Sequence, residues 1–376
     1  MRRQIIGGAL AAVLASSAYA QSSVTLYGIV DTGISYISNS SGHSVVRMDS
    51  GINQNSRWGL LGTEDLGGGL QAIFRLESEF FLDTGESAFP NTLFTRAYAG
   101  LSSQQWGTLV MGRNYDFVPE YVTYYTSVSQ FAPGYSFHLA NDIDRLAGEP
   151  VTNSVRYETP TVHGLTAGAM YGFDNGSTAS SPHVLSFGLH YSPSGKFNAP
   201  YSFSAAYTKT VGGSLVPSAS GALPTATLAQ IASGARSIYT AALGGQVKFG
   251  DFALNGVYTY TNQSGITHPG PQVAKVTAAY ELGLTYRVTP STTFGVGDTY
   301  IDQHNTGKYD LVSLGLDYRL SKQTDVFLFG TYQKAFGGAT IAGNFLAVTP
   351  GLPWEIAGMS TSREQLAAQL GIRHLF

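Results

Sequence analysis

From residue 21 to the last residue, short segments alternate apolar and polar side chains, and the connections between them fall into two sets, one short and one long. A period of two belongs to a strand whose faces meet different surroundings. The end of the chain shows it plainly. Within 365–376, Leu366, Ala368, Leu370, Ile372 and Phe376 share one parity, interrupted by His374, while Gln365, Gln369, Gly371 and Arg373 share the other. Tyr201, Phe203, Ala205 and Tyr207 oppose Ser202, Ser204, Ala206 and Thr208 in the same way. Turn chemistry marks tight connections at 65–69, 102–107, 160–164, 192–195, 250–251, 289–291 and 321–324. Long ones centre near Ser40, Asp83, Gln130, Asn175, Ser220, His268, Asn305 and Ile341. Seven short and eight long connections imply sixteen strands, with both termini at the short-turn end. A two-sheet sandwich also alternates, but it would have short loops at both ends.

The first twenty residues set the surroundings. Arg2 and Arg3 precede an apolar run over 5–14 and a small-residue end at Ala18-Tyr19-Ala20, the layout of a secretory leader cleaved after Ala20. The expected organisation is a signal peptide over 1–20 and one barrel domain over 21–376. No later segment has the roughly 18 unbroken apolar residues of a membrane-spanning helix. With no cysteine, an exported chain of this size needs another closed network to hold it. Sixteen strands and their connections share the remaining chain at about 22 residues each, enough for the roughly 10 residues per strand that a bilayer requires. Closing the sheet satisfies every backbone group in lipid, and sixteen strands leave water along the axis. Tyr191, Tyr258, Tyr260 and Tyr286, near segment ends, fit aromatic girdles at the two membrane interfaces. A net charge of -3 argues against a nucleic-acid surface.

Several arginines interrupt the apolar early segments. Arg75 shares parity with Gln71, Glu77 and Glu79, opposite Ala72, Phe74 and Leu76. Arg96 shares parity with Tyr98, opposite Ala97, Ala99 and Leu101. Facing lipid at the midplane, an arginine would cost roughly 2 to 4 kcal/mol, so both are expected in the lumen. Arg57 opposes Trp58 and Leu60, although Leu61 shares its face. Beyond Arg113 a connection over about 114–150 far exceeds the usual roughly 12 to 15 residues. It is rich in aromatics, among them Tyr115, Phe117, Tyr121, Tyr124, Tyr125 and Tyr135, so it should pack rather than be solvated. The available surface is the inside of the barrel. Folding inward would bring Asp116, Glu120, Asp142 and Asp144 toward the wall arginines and set a transverse field across the narrowest water column.

These segments together resemble the general porins of Gram-negative outer membranes, in their betaproteobacterial form. The resemblance is carried by QSSVTLYGIVDTGI from Gln21, SRWGLLGTEDLGGGLQAIFRLE from Ser56, GTLVMGRNYD from Gly107, NSVRYETP from Asn153 and the ending GIRHLF from Gly371. It implies a homotrimer of sixteen-stranded barrels in the outer membrane, among lipid and lipopolysaccharide, each with its third loop folded into the lumen. It also implies a constriction formed by Arg57, Arg96 and Arg113 facing Asp116 and Glu120, with Arg75 added by the parity argument above. Arg113 matches the parity of Leu109 and Met111, so it is expected beyond the strand end. Members often carry a basic residue where Pro150 stands, and the C-terminal phenylalanine, here Phe376, is implied as the signal read by the barrel-assembly machinery.

The expected function is passive diffusion of ions and small hydrophilic solutes, which requires no catalytic residue, cofactor or metal. Two other readings are open at this point. One is a channel that prefers a sugar or carboxylate, which lumen aromatics such as Tyr98 would serve. The other is an outer-membrane hydrolase barrel, although the eight histidines show no motif placing one beside a nucleophile and an orienting acid.

Overall fold

The computed structural model describes residues 22–89, 92–138, 143–173, 183–212, 233–269, 273–342 and 360–376. The leader expected over 1–20 lies outside the described residues, as do Asp142 and most of the connections near Asn175 and Ser220.

Seventeen strands are described. They are β1 (Ser23–Ser40), β2 (His43–Ser50), β3 (Arg57–Gly67), β4 (Leu70–Glu79), β5 (Arg96–Ser103), β6 (Gly107–Asn114), β7 (Val151–Glu158) and β8 (Leu165–Gly172). There follow β9 (His183–Tyr191), β10 (Tyr201–Val211), β11 (Ser237–Phe249), β12 (Phe252–Ser264), β13 (Val276–Thr289) and β14 (Thr292–Gln303). The last are β15 (Gly307–Arg319), β16 (Thr324–Phe336) and β17 (Glu364–Leu375). From β3 onward each strand pairs antiparallel with the next, and β17 returns to β1, so the sheet has no free edge. β2 and β3 fill a single position in the wall: β2 pairs with β1 from Thr32 to Ser40, and β3 pairs with it from Ser23 to Ile29. The ring therefore has sixteen positions, the number required by the alternation.

The seven tight connections fall where turn chemistry places them, although the one after β9 runs on to residue 200. Two of the eight long ones do not. At Ser41 (φ 53°) and Gly42 (φ 94°) the chain makes a two-residue turn between β1 and β2, and near Asn305 (φ 63°) three residues join β14 to β15. In both places the ladder simply continues outward, so polar residues read as loop extend a hairpin. β17 closes the ring against β1 from Ile29 to Ile37, with the stagger that a closed, tilted sheet imposes.

The faces of the wall differ sharply. Outward lie Leu243, Leu254, Leu282, Val296, Leu314 and Leu328, all exposed, bounded by two rows of rings. Phe249, Phe252 and Tyr286 stack in one row, with centroids 5.7 and 4.6 Å apart, and Tyr258, Tyr280, Tyr300 and Phe336 form the other at 5.0 to 6.2 Å. An apolar belt between aromatic girdles is the outside of a membrane barrel. The opposite face is polar, with Ser186, Thr208, Asn255, Thr259, Glu281, Ser313 and Gln369 all buried. What buries much of it is the chain between β6 and β7.

Candidate functional site: the lumen constriction

The described residues of 115–150 carry two short α-helices, α1 (Phe117–Tyr121) and α2 (Ser127–Gln130). Asp116 starts the first: its Oδ1 accepts from Val118 N at 3.1 Å, satisfying a donor that a helix end leaves free. Along its course the segment is tied to the polar face. Phe117 N donates to Ser186 Oγ (3.0 Å), Asn255 Nδ2 donates to Tyr125 O (2.8 Å) and Ser313 Oγ donates to Ser136 Oγ (2.8 Å). Across the ring, Tyr135 Oη donates to Asp49 Oδ2 of β2 (2.6 Å) and lies 2.7 Å from Ser35 Oγ of β1. A segment that touches one face of a closed ring on opposite sides runs through its interior. The fit is close: a Cβ on Gly168 or Gly188 would overlap Phe117, so those positions admit the ring only as glycine. Phe197, from the 192–200 connection, packs on Tyr121, Tyr124 and Tyr125 from the short-turn end.

The wall facing this segment carries the arginines. Glu77, only 1% exposed, is approached by Arg75 Nη2 at 2.5 Å, Arg96 Nε at 3.4 Å and Arg57 Nε at 4.0 Å, and Tyr27 Oη donates to it at 2.7 Å. Arg96 also meets Glu120 of α1 at 2.6 Å and lies over the Tyr115 ring, 4.3 Å from its centroid. From β7, Arg156 reaches Glu120 at 3.7 Å and Glu158 at 3.0 Å and covers the Phe117 ring at 4.5 Å. Burial alone would push the Glu120 carboxyl up, but the guanidiniums of Arg96 and Arg156 outweigh it and hold the group below the usual carboxylate range. The side chains of Arg57 and Arg75 are each 22% exposed, against 1% for the Glu77 they share.

Two of the expected placements change. Arg113 is not beyond the strand end but inside β6. Gly112 takes φ 138°, and there the register slips, two residues of β6 spanning three of β7 from Gly112↔Ser154 to Asn114↔Val151. This breaks the alternation just before Arg113. Its Nε donates to Thr95 O at 3.2 Å and its guanidinium stands 5.7 Å from the centroid of Phe89. Asp116 does not face the wall arginines. It is fully buried, accepts from Thr208 Oγ1 at 2.5 Å and pairs with Arg145 of its own loop at 2.5 Å, having been turned toward β10 by the cap it makes. Asp144 likewise meets His138 at 2.5 Å instead of an arginine.

Arg156 and Arg145 escaped the sequence reading. Arg156 had the same signal as Arg75, since it shares parity with Ser154 and Glu158 and opposes Val155 and Tyr157. Arg145 had none, because irregular backbone gives no parity to read. Both ring nitrogens of buried His138 face carboxylates, Asp144 and Glu281, so this imidazole has no nitrogen left for a serine hydroxyl. A cavity of about 580 Å³ lies between loop and wall, with Arg57, Gln54 and Arg373 on one side and Tyr124, Ser129 and Glu149 on the other.

Comparison with known proteins agrees with this architecture. Residues 8–337 match the model of the Gram-negative porin family. The chain is 30% identical to outer membrane porin protein 32 of Delftia acidovorans, with both chains covered in full. It superposes on an anion-selective porin from Comamonas acidovorans with a TM-score of 0.73 at 27% identity, covering 95% of this chain and 100% of that one. An outer membrane protein of Vibrio cholerae solved in a trimer form shares the fold at 16% identity, with a TM-score of 0.62 over 94% of this chain and 99% of that one. The chain belongs to the Gram-negative porins, and it is an outer-membrane barrel through which solutes diffuse passively.

Proposed function

We propose that the pore is anion-preferring and that Arg57, Arg75, Arg96 and Arg156, opposed by Glu120, form its selective ring, with Arg113 beside them. One observation carries this reading: the arginine heads keep solvent exposure while Glu77, which balances three of them, is buried. A pore selects by the charges that remain accessible at its narrowest ring. Asp83 and Glu86 line the cavity from the 80–95 connection and work the other way, so the preference should be moderate. The permeant class is ions and small hydrophilic solutes, with no catalytic step. In the same reading 1–20 is a cleaved leader and the apolar outer belt meets lipid, lipopolysaccharide and two further copies in a homotrimer. The trimer form of the Vibrio cholerae relative and the expectation from family resemblance both support that assembly. Phe376, whose N–H and C=O both pair with Gly28 at 3.0 Å, serves as the signal for the assembly machinery. In planar bilayers Arg96→Glu should lower the anion-to-cation permeability ratio by about threefold or more. An unchanged ratio with the barrel intact would place the selective ring elsewhere.

A further inference from the structure

On the far side of the lumen from the arginines, the loop is fixed by a charge cluster of a different kind. His138 is 2% exposed. Its Nδ1 lies 2.5 Å from Asp144 Oδ2, and its Nε2 lies 3.0 Å from Glu281 Oε2 on β13. Asp144 Oδ2 also accepts from Thr259 Oγ1 of β12 at 2.8 Å, and Glu281 Oε1 accepts from Ser127 N at the start of α2. The titratable groups facing the imidazole are Asp144 on the loop and Glu281 on the wall. A neutral imidazole has one donor and one lone pair, so it would set that lone pair against a carboxylate; only the doubly protonated ring satisfies both neighbours. Without the cation, two buried carboxylates, one on the loop and one on the wall, would repel across a medium that screens them poorly.

We propose that His138 is the residue that positions the constriction: as an imidazolium it binds the loop carboxylate of Asp144 to the wall carboxylate of Glu281 and so sets the aperture of the pore. This rests on the reading of 115–150 as the constriction. The cluster joins loop residues Ser127, His138 and Asp144 to two adjacent strands, β12 and β13, and α2, which starts at Ser127, supplies Val128 and Ser129 to the cavity lining. Ile143, beside it, is packed among Ile238, Ile301 and Leu311, so the loop has an apolar seat to leave as well as a charge to lose. Burial opposes the charge on His138, but Asp144 and Glu281 overcome it and push the group up to about 10. A raised value means that the contact is complete at and below neutral pH and is lost as the pH rises through about 10.

The test is unit conductance and reversal potential of the full chain in planar bilayers, from neutral pH through about pH 10. The unmodified channel should hold a steady conductance near neutrality and step as the pH rises through that value. His138→Gln should show at neutral pH a conductance changed by about 1.5-fold or more, and no step. Glu281→Gln keeps the loop pair but removes the wall partner, so its step should move to lower pH; it also serves if His138→Gln does not assemble. A merely structural histidine would give no such displacement of the pH profile. If His138→Gln keeps the conductance and pH profile of the unmodified channel while Arg96→Glu still alters selectivity, the latch is wrong and the constriction reading survives. If neither variant changes anything, both are wrong.

Discussion

Two charge clusters lie on opposite sides of the same lumen and differ in how much water they see. On the β3–β7 wall, Arg57, Arg75 and Arg96 surround the buried Glu77 while Arg156 meets Glu120 and Glu158, and all four side chains stay partly exposed. Against β10, β12 and β13, the pairs Asp116–Arg145 and His138–Asp144–Glu281 are closed off almost entirely. Similar side chains therefore perform different tasks. An ion pair whose arginine stays partly exposed presents its charge to a passing ion, whereas one buried on both sides is invisible to the ion and fixes the backbone that carries it.

Breaking a pair on each side should expose that difference most strongly. Arg145→Leu leaves Asp116 buried without its cation, a loss of about 3 to 5 kcal/mol, and should expose the loop to protease and lower the temperature at which the folded form is lost on gels. Arg75→Leu, by contrast, leaves Glu77 with Arg96 and Arg57 and should cost about 1 kcal/mol or less by the same measurement. Equal effects would erase the distinction between the two sides. A smaller effect is expected from Glu77→Gln, which removes the shared countercharge from three arginines and should raise the anion-to-cation permeability ratio about twofold.

The smallest effect comes from acid. Because Arg96 and Arg156 hold Glu120 below the usual carboxylate range, their contact is present above that range and lost only as the pH falls beneath it. Anion preference should therefore rise at a lower pH than an ordinary carboxylate would give, and Glu120→Gln should remove that rise.

The sequence reading succeeded where side chains alternate on a regular strand. Sixteen wall positions, both girdles and the inward direction of Arg75 and Arg96 all follow from a period of two, because a barrel wall has an apolar outside and a polar inside everywhere. It failed where regular backbone stops. Arg113 was misplaced because a glycine at φ 138° and a register slip reverse the count, and neither leaves a composition signal. Inward folding and the family resemblance both point Asp116 at the arginines, but its helix cap and Arg145 decide its direction, and both depend on how the loop folds. Arg156 was legible and overlooked. The connections near Ser40 and Asn305 look like long loops in the sequence because polar hairpin tips cannot be told from loops until their pairing is seen.

The central claim is that this lumen presents more accessible positive than negative charge at its narrowest level. The most direct measurement is the reversal potential of the unmodified channel across a potassium chloride gradient at neutral pH. The sign should correspond to chloride passing more readily than potassium, with the preference weakening as salt rises and screening shortens. A potential of the cationic sign at low salt would contradict the account.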